Sequence, residues 1–511
     1  MKFSKVLFVV NIFFTLNCTF VFSSQVPNEN YFSSPIIKQA FHEFYNLHFQ
    51  KADSLCNIFS ERFPTEPDGF FLKCKILLWE FIGSRDETNY LSLKSLIKRN
   101  LTLIENKIDV KAIPKYLYLK AASYSMLATL KTLRQDFVDA FWDAKKADGI
   151  FEDILDDFPN DSYTLTDFGM LKYALGFADG FLSFTLKLTG MSGDKQEGLA
   201  YLRKAVFNSP ENLGKPESKY YLSQVYVNYL NEIDSAFSLI SPLVENNPDN
   251  ILFKYQLALV LINKKEFEKA ESLLNVIIKS NNPKFPFTYS LALFLKGEIR
   301  FLLNDFKNAE KYYNLFLENQ VDISYSGLAK YKIGICQLMK NEILPSKRSF
   351  ILCRLGNLEI EEDKFAKRRG ELLFDINFSQ AEKNILLIEN YLETEKLKKA
   401  ETLLNEIEYS LLSDNFKELY LFFKGKIFLK KGKVKEAENI FKKCLTNDVE
   451  YEKWIIPTAN LHLSRIYFEL QKFELAEEYI ENADDENEYD FKNKLSAKIN
   501  FWKRKIERRL N

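Results

Sequence analysis

The fold is decided by stretches such as ALVLINKKEFEKA, residues 258–270, in which two alanines are separated by twelve positions. Pairs of small residues repeat this spacing along the chain: Ala40/Ala52, Ala128/Ala140, Ala258/Ala270, Gly297/Ala309, Gly334/Ser346, Gly425/Ala437 and Ser464/Ala476. Two antiparallel helices joined by a short turn approach closely only where side chains are small, and twelve residues is the path across that turn to the facing position. The pattern therefore predicts repeated helical hairpins.

The second small residue of each hairpin is the more regular one. Ala236 and Ala400 occupy this position with Gln224 and Ile388 upstream, and Gly198 occupies it in a glycine-rich passage. We predict that the following residues pack where hairpin helices cross: Ala52, Ala140, Gly198, Ala236, Ala270, Ala309, Ser346, Ala400, Ala437 and Ala476. Their recurrence near a period of about 34 residues is typical of helix–turn–helix repeat arrays.

Three segments resemble the tetratricopeptide repeat (TPR) family: FEKAESLL from Phe267, FKNAEKYY from Phe306 and KEAENIF from Lys435. The resemblance extends, with gaps, over about residues 35–485. It implies an all-α, TPR-like α-solenoid of antiparallel helix hairpins, in which each repeat packs on its neighbours. It implies nothing specific about function.

The spacing of the markers predicts how the chain is organised. A step of 54 residues separates Ser346 from Ala400, which leaves room for an extra helix near 363–374. An extended, mobile leader is expected over 24–35. The predicted segments are N-terminal helical repeats at 24–160, a Gly-rich helical hairpin at 161–215, TPR repeats at 216–355, a linking helix at 356–377, TPR repeats at 378–484 and a capping helix at 485–511. The last helix has the apolar stripe and charged opposite side that a terminal cap requires.

The N-terminus has the features of a secretory signal peptide at 1–23. Lys2 and Lys5 precede an apolar stretch at 6–22, which Ser23 and a polar segment follow. Export to the periplasm, the outer membrane or the extracellular space is therefore expected. An uncleaved membrane anchor is the alternative, although the stretch is shorter than the ~20 residues that a membrane span prefers.

The glycine-rich passage adds a second hypothesis. Residues 168–205 are similar to a segment of exported bacterial TPR proteins and of a eukaryotic TPR family linked to mitochondrial outer membranes and lipid droplets. An apolar helix at 171–188 would then lie at a membrane surface. The alternative is a buried solenoid helix with glycines at its close crossings.

Charge and cysteine usage exclude several classes of protein. Lys plus Arg and Asp plus Glu both number 70 in 511 residues, and they are intermixed, so the basic stripe of a nucleic-acid-binding protein is not expected. Five cysteines follow the leader at positions 56, 74, 336, 353 and 444. Their odd number and wide spread do not suit a disulfide framework. Only Cys336 and Cys353, in the two helices of one hairpin, leave a disulfide open.

No catalytic pattern is present. The three histidines, His42, His48 and His462, have no cysteine or carboxylate at ligand spacing, so structural roles are expected and no metal is. The nucleophile-elbow, phosphate-loop and zinc-protease motifs are absent. The sequence therefore predicts a protein that is not an enzyme and needs no cofactor.

A binding surface is the remaining interpretation. The clamp with which some TPR domains hold a carboxyl terminus needs Lys and Asn on first helices, whereas the comparable positions here are mostly aromatic or aliphatic. Tyr255, Phe294, Tyr331 and Phe422 predict an aromatic groove for an extended or helical partner segment. The alternative is that the same rings pack between helices. The leading hypothesis is an exported scaffold that binds an unidentified protein or peptide.

Overall fold

The computed structural model describes residues 31–107, 113–176, 193–447, 449–486 and 489–510. Within these ranges the chain forms 24 α-helices and no strand, which confirms an all-α, TPR-like fold of consecutive helical hairpins. The expected signal peptide at 1–23 and most of the 171–188 helix lie outside the described residues.

The chain divides into two compact units. Unit 1 holds the described residues up to Lys264 together with Lys279–Thr288, and unit 2 holds Lys265–Ile278 and the described residues from Tyr289 onward. In each unit, consecutive helices pack antiparallel as hairpins, and the first helices of neighbouring hairpins also contact one another. We call the layer made by these first helices the first-helix layer of the unit.

Unit 1 is built mainly from five hairpins and one further first helix. The helices are α1 Pro35–Tyr45, α2 Phe49–Arg62, α3 Asp68–Ser84, α4 Glu87–Glu105, α5 Pro114–Leu133, α6 Phe137–Asp157, α7 Ser162–Leu175, α8 Lys195–Phe207, α9 Lys215–Val225, α10 Ile233–Asn246 and α11 Ile251–Asn263. A short π-helical turn, Tyr226–Leu230, follows α9. The odd-numbered helices form the first-helix layer.

Unit 2 contains most of the remaining helices. They are α12 Phe267–Ser280, α13 Pro286–Leu302, α14 Phe306–Asn319, α15 Ser326–Met339, α16 Ile343–Leu352, α17 Glu361–Phe374, α18 Gln380–Glu393, α19 Leu397–Asn405, α20 Asp414–Lys430, α21 Val434–Thr446, α22 Ile455–Glu469, α23 Phe473–Asp485 and α24 Lys492–Leu510. Helix α17 lies where an extra helix is expected near 363–374, and α24 lies in the segment 485–511, for which the capping role stays a prediction. Helices α18, α20, α22 and α24 contact one another in series as the first-helix layer.

Helix starts follow local capping chemistry. Asp194 accepts hydrogen bonds from the backbone N–H groups of Gln196 and Glu197, as its position before α8 predicts. Ser379 and Glu382 form a reciprocal capping box at the start of α18. Both arrangements satisfy backbone donors that have no partner inside the helix.

The hairpin turns share a backbone feature. The residue five positions before the small crossing residue has a positive φ in nine hairpins: Leu47, Gln135, Asn231, Lys265, Asn304, Asn341, Glu395, Gly432 and Gln471. One left-handed residue reverses the chain in each turn, at a cost for residues other than glycine that packing of the hairpin must offset. The second helix then begins two residues later in each of the nine hairpins.

The leader expected to be mobile is packed where the structure describes it. Tyr31 and Phe32 are buried, and the ring of Tyr31 stacks on Tyr163 with centroids 5.1 Å apart. The Phe32 ring lies 5.9 Å from that of Phe71 on α3. This part of the expectation was wrong, because two large rings gain more from burial than a short extended segment loses in conformational entropy.

Candidate functional site

All ten residues predicted at helix crossings are buried. A Cβ on Gly198 would stand 2.6 Å from the carbonyl oxygen of Gly169, so the α7–α8 crossing leaves no room for a side chain. In the α22–α23 hairpin the Ser464 hydroxyl donates to the Ala476 carbonyl at 2.6 Å. The small residues thus let helix backbones approach, and they belong to the core of the fold.

Three of the four rings predicted to line a groove lie inside the helix packing. Phe294, Tyr331 and Phe422 are buried, while Tyr255 is half-buried. Their neighbours are other rings: Tyr313, Phe316 and Tyr325 around Phe294; Phe350 and Phe365 around Tyr331; Phe441, Trp454 and His462 around Phe422. These placements match the alternative in which the rings fill the seams between helices.

Charged side chains in the first-helix layer of unit 1 interact with one another. Lys75 on α3 forms an ion pair with Glu217 on α9, and both side chains are buried. Tyr118 on α5 donates to Asp167 on α7 at 3.0 Å. Burial raises the pKa of Glu217 and of Asp167, although nearby Lys75 opposes the shift. This layer therefore presents paired groups rather than a free binding surface.

The side chain of His48, between α1 and α2, is held by contacts with other residues of unit 1. His48 contacts Glu43 through Nδ1 at 2.7 Å and Asp249 through Nε2 at 3.1 Å. Asp249 lies 201 positions from His48 in the sequence, so this contact is not one that local ligand spacing could indicate. The contact joins the first turn of unit 1 to the start of α11, which is consistent with a structural role.

The first-helix layer of unit 2 differs from that of unit 1. Four cations on three successive first helices form what we call the cationic patch: Lys426 and Lys430 on α20, Arg465 on α22 and Lys498 on α24. Arg465 and Lys498 are exposed and form no ion pair with any residue that the structure describes. Lys426 and Lys430 each pair with one carboxylate, Glu393 at 3.2 Å and Glu395 at 3.7 Å.

The surroundings of the cationic patch disfavour the charged forms of two of its side chains. Desolvation lowers the pKa of both Arg465 and Lys498, although both side chains reach water. Nearby carboxylates oppose these shifts: Glu469 raises the pKa of Arg465, and Glu393 raises that of Lys498. The Arg465 guanidinium lies 5.0 Å from the centroid of the Trp502 ring, which orients it.

The ring of His462 on α22 lies close to the cations of the patch. Its ring stacks on Phe441 with centroids 4.8 Å apart, and its Nδ1 atom is buried without a hydrogen-bond partner among the described residues. Burial lowers the pKa of His462 well below its usual value, and the charges acting most strongly on it are all cations of the patch. The ring is therefore neutral at pH 7 and adds no charge.

The neighbouring first helix carries the opposite charge. Glu389 on α18 is exposed, and Glu393 pairs with Lys426 and Lys265, each at 3.2 Å. Although burial opposes ionisation of Glu393, the two lysines lower its pKa to about 2. Carboxylates on α18 thus lie beside cations of α20 and partly neutralise them.

Other reactive groups in the described chain are structural. The five cysteines at positions 56, 74, 336, 353 and 444 are buried and free, so Cys336 and Cys353 are not bonded to each other. Burial raises the pKa of Cys56, Cys353 and Cys444 to about 12. No metal-binding cluster of His, Cys, Asp and Glu side chains occurs within the described ranges. Of the helices described, none combines the length and apolarity that crossing a bilayer requires.

Two segments of unit 2 identify the repeat. Residues 420–448 and 457–490 match the tetratricopeptide repeat family. These TPR segments cover most of α20 to α23, and they contain Lys426, Lys430 and Arg465. Nothing among curated proteins matches the sequence.

Two solved structures match the chain at low similarity. The human IFIT1 dimer with PPP-AAAA is 13% identical over 72% of this chain and 80% of that chain, with a TM-score of 0.36. The APC/C hetero-tetramer Cut9-Hcn1 is 11% identical over 89% of this chain and 87% of that chain, with a TM-score of 0.27. Likeness at this level does not bear on what this chain binds.

Sequence reasoning missed the cationic patch. Its members are separated by up to 72 positions, and each is an ordinary cation in a chain with 70 Lys and Arg residues. The signal available was the position of Lys426, Lys430 and Arg465 on the polar side of first helices in the regular repeats. Only the stacking of hairpins brings these side chains to one surface.

Proposed function

We propose that the protein is a non-catalytic scaffold that binds a segment of another protein on the first-helix layer of unit 2. The observation that carries this proposal is the cationic patch, in which Arg465 and Lys498 have no ion-pair partner among the described residues. Both side chains are exposed, so they can contact carboxylates or carbonyl groups of a bound segment. The TPR match over the same helices supports a protein partner.

Site-specific photo-cross-linking tests this function. A photoreactive amino acid replaces Glu469, which lies one helical turn beyond Arg465 on α22 and is exposed. The matched control replaces Glu478, an exposed glutamate on the second helix α23. A discrete protein adduct at position 469 and none at 478 is expected in cells that express the chain. Equal adducts at both positions, or none at either, would argue against the proposal.

We further propose that the chain is exported after removal of residues 1–23. The charged, apolar and small-residue segments of the N-terminus support this proposal. Cell fractionation with mass measurement of the mature N-terminus tests it. Retention of the full N-terminus in a membrane fraction would instead favour the anchored alternative, and flotation of the mature chain with liposomes tests surface association through the 171–188 helix.

A further inference from the structure

We propose that unit 2 docks on an anionic membrane surface through an exposed edge at helix α16. This inference goes beyond the scaffold function and does not depend on it, because α16 is a second helix and lies outside the first-helix layer. It also concerns a different surface from the 171–188 segment. We call this surface the α16 edge, and it consists of Ile323, Leu344, Lys347, Arg348, Leu352, Arg354, Leu355 and Leu358.

The first argument is the exposure of large apolar side chains along α16. Leu344 and Leu352 lie on the same side of the helix, with Arg348 between them. Leu344 is 73% exposed and Leu352 is 41% exposed, whereas Ser346 and Phe350 on the opposite side are buried in the hairpin. The helix therefore presents a second apolar side to solvent, and adjoining exposed apolar side chains of this kind mark an interaction site.

The apolar surface continues beyond the C-terminal end of α16. Leu355 and Leu358 are exposed in the segment that follows the helix. Between them, the side-chain amide of Asn357 donates to the hydroxyl of Ser324 at 3.0 Å. This hydrogen bond brings the neighbouring Ile323, which is also exposed, to the same end of the α16 edge.

The segment that carries these leucines is held in place by buried contacts. The carboxylate of Asp363, which is fully buried, accepts hydrogen bonds from the backbone N–H groups of Leu328 at 2.8 Å and Asn357 at 2.7 Å. A Cβ on Gly356 would stand 2.7 Å from the backbone nitrogen of Gly327, so the two segments touch. The leucines are therefore exposed by an ordered segment and not by a loose chain end.

The charged side chains within the α16 edge are all cations. Lys347, Arg348 and Arg354 form no ion pair with any residue that the structure describes, and residues 343–358 contain no Asp or Glu. Leucine and isoleucine interspersed with lysine and arginine are typical of helices that lie in the interface of an anionic bilayer. There the apolar side chains enter the acyl boundary, and the cations contact lipid phosphates.

Carboxylates occur at the margins of this surface. Glu342 forms an ion pair with Lys340 at 2.8 Å, so its charge is already offset. Asp322, Glu359 and Asp375 neighbour the edge in the sequence. None of the four carboxylates forms an ion pair with a cation of the edge, so these cations stay available to lipid phosphates.

The size of the α16 edge favours a membrane over a second copy of the chain. A helix of ten residues is about 15 Å long, so the edge covers roughly 200 Å² in projection. Each partner of a stable protein interface buries about 800 Å². A bilayer needs no matching partner surface, because its binding strength follows the apolar area inserted and the charge presented.

The test is flotation of the full mature chain with lipid vesicles. In one set of vesicles about a third of the lipid is phosphatidylglycerol and the rest is phosphatidylcholine, and the other set is phosphatidylcholine alone. Leu344→Asp and Leu355→Asp each place a carboxylate within the α16 edge. A double variant, Arg348→Gln with Arg354→Gln, removes two of its cations.

Matched variants at other exposed positions of unit 2 provide the controls. Leu411→Asp makes the same leucine substitution at a residue that is 68% exposed. Lys435→Gln with Lys443→Gln removes two exposed cations from the second helix α21. Melting curves show that each variant is folded.

The native chain should float with the anionic vesicles and not with the neutral ones. Each leucine substitution in the edge should weaken binding by at least about tenfold, because one inserted side chain is lost. The double arginine variant should weaken binding by roughly twentyfold, and the control variants by less than about twofold. Binding should also weaken as NaCl is raised from about 50 to about 300 mM, because salt screens the cations.

Several results would overturn the proposal. Failure of the native chain to float with anionic vesicles would reject the membrane surface. Flotation that the edge variants leave unchanged would place the contact elsewhere, as in the 171–188 segment. Equal weakening by the control variants would show a response to net charge or to any exposed substitution. A dimer of the native chain that Leu344→Asp abolishes, without flotation, would identify a second copy as the occupant.

Discussion

The ring of Phe441 lies against the backbone of Gly425, so closely that a Cβ on Gly425 would stand 2.8 Å from the ring's Cε1 atom. The glycine thus provides the space into which the facing helix inserts an aromatic side chain. The same relationship, always sixteen positions apart, occurs in two more hairpins: Gly297 with Tyr313, and Gly334 with Phe350. Where the upstream residue has a Cβ, the residue sixteen positions on is smaller, as in Ala40 with Cys56 and Ser464 with Ile480.

This volume matching predicts the effect of adding one methyl group. Gly425→Ala should overpack the crossing at a cost of about 1–3 kcal/mol, which the better helix propensity of alanine offsets by about 1 kcal/mol. We expect a net loss of stability, measured by urea denaturation. Phe441→Leu in the same chain should recover part of that loss, because it restores the Ala–aliphatic combination of other hairpins.

A matched glycine gives the control. Gly149 lies exposed on α6, and a Cβ there would meet no atom within 4 Å. Gly149→Ala should therefore stabilise the chain by about 0.5–1 kcal/mol. If both alanine variants changed stability in the same direction, the volume argument would fail.

The positive φ in hairpin turns leads to a second prediction. Gly432 has a φ of +73° and open space around its α-carbon, so Gly432→Ala should cost about 1 kcal/mol through backbone strain alone. Glu395 has a φ of 58° at the equivalent place, and Glu395→Gly should not destabilise the chain by more than a few tenths of a kcal/mol. Thermal melting of the two variants compares them. A larger loss for Glu395→Gly would contradict the role assigned to these turns.

The buried ion pair Lys75–Glu217 should respond to mutation non-additively. Lys75→Met leaves Glu217 and Asp167 without their cation, and removing one member of a buried ion pair costs about 3–5 kcal/mol. Adding Glu217→Gln should restore part of the stability, because the uncompensated charge is then gone. Denaturation of the single and double variants measures the interaction. Losses that simply add would show that the two groups do not depend on each other.

His462 predicts a dependence of stability on pH. Its pKa in the folded chain lies well below the ordinary value, so the unfolded chain binds the proton first as pH falls below about 6.5. The cations Lys426, Lys430, Arg465 and Lys498 all oppose protonation in the fold. Stability should therefore fall between pH 7 and pH 5 more steeply in the native chain than in His462→Phe. Urea denaturation at the two pH values measures the free energy of unfolding. An equal fall in this free energy in the native chain and in His462→Phe would rule out the contribution of His462.

Much of the fold could be predicted from the sequence because its signal is local and repeated. The crossing residues from Ala52 to Ala476 are buried, and helices α17 and α24 occupy segments in which helices are expected. The periodicity is strong because the two helices of every hairpin approach closely only where a small residue occupies the same position.

The features that the sequence did not predict depend on long-range contacts or on signals that are not distinctive. Asp249 reaches His48 only because unit 1 brings distant hairpins together, and no local spacing encodes that pairing. The left-handed turn residues include Leu47 and Glu395, which no turn rule favours. Tyr31 and Phe32 sit in a polar leader, where aromatic residues give no indication of what they pack against.

The candidate site was missed for a similar reason. Aromatic residues on first helices are equally suited to a groove and to a seam, and burial of Phe294, Tyr331 and Phe422 is decided by the side chains around them. Whether a cation on a first helix belongs to a shared surface can be judged only when its neighbours on adjacent repeats are known. Lys498, on the terminal helix α24, completes the cationic patch from outside the matched repeats.

The most direct test of the account combines the photo-cross-link with reversal of the patch charges. The adduct at position 469 is compared in chains carrying Arg465→Glu with Lys498→Glu and in chains carrying Lys435→Glu with Lys443→Glu, which have the same net charge. The adduct should be lost in the first chain and retained in the second. An adduct of equal yield in both chains would contradict the claim that the cationic patch binds the partner.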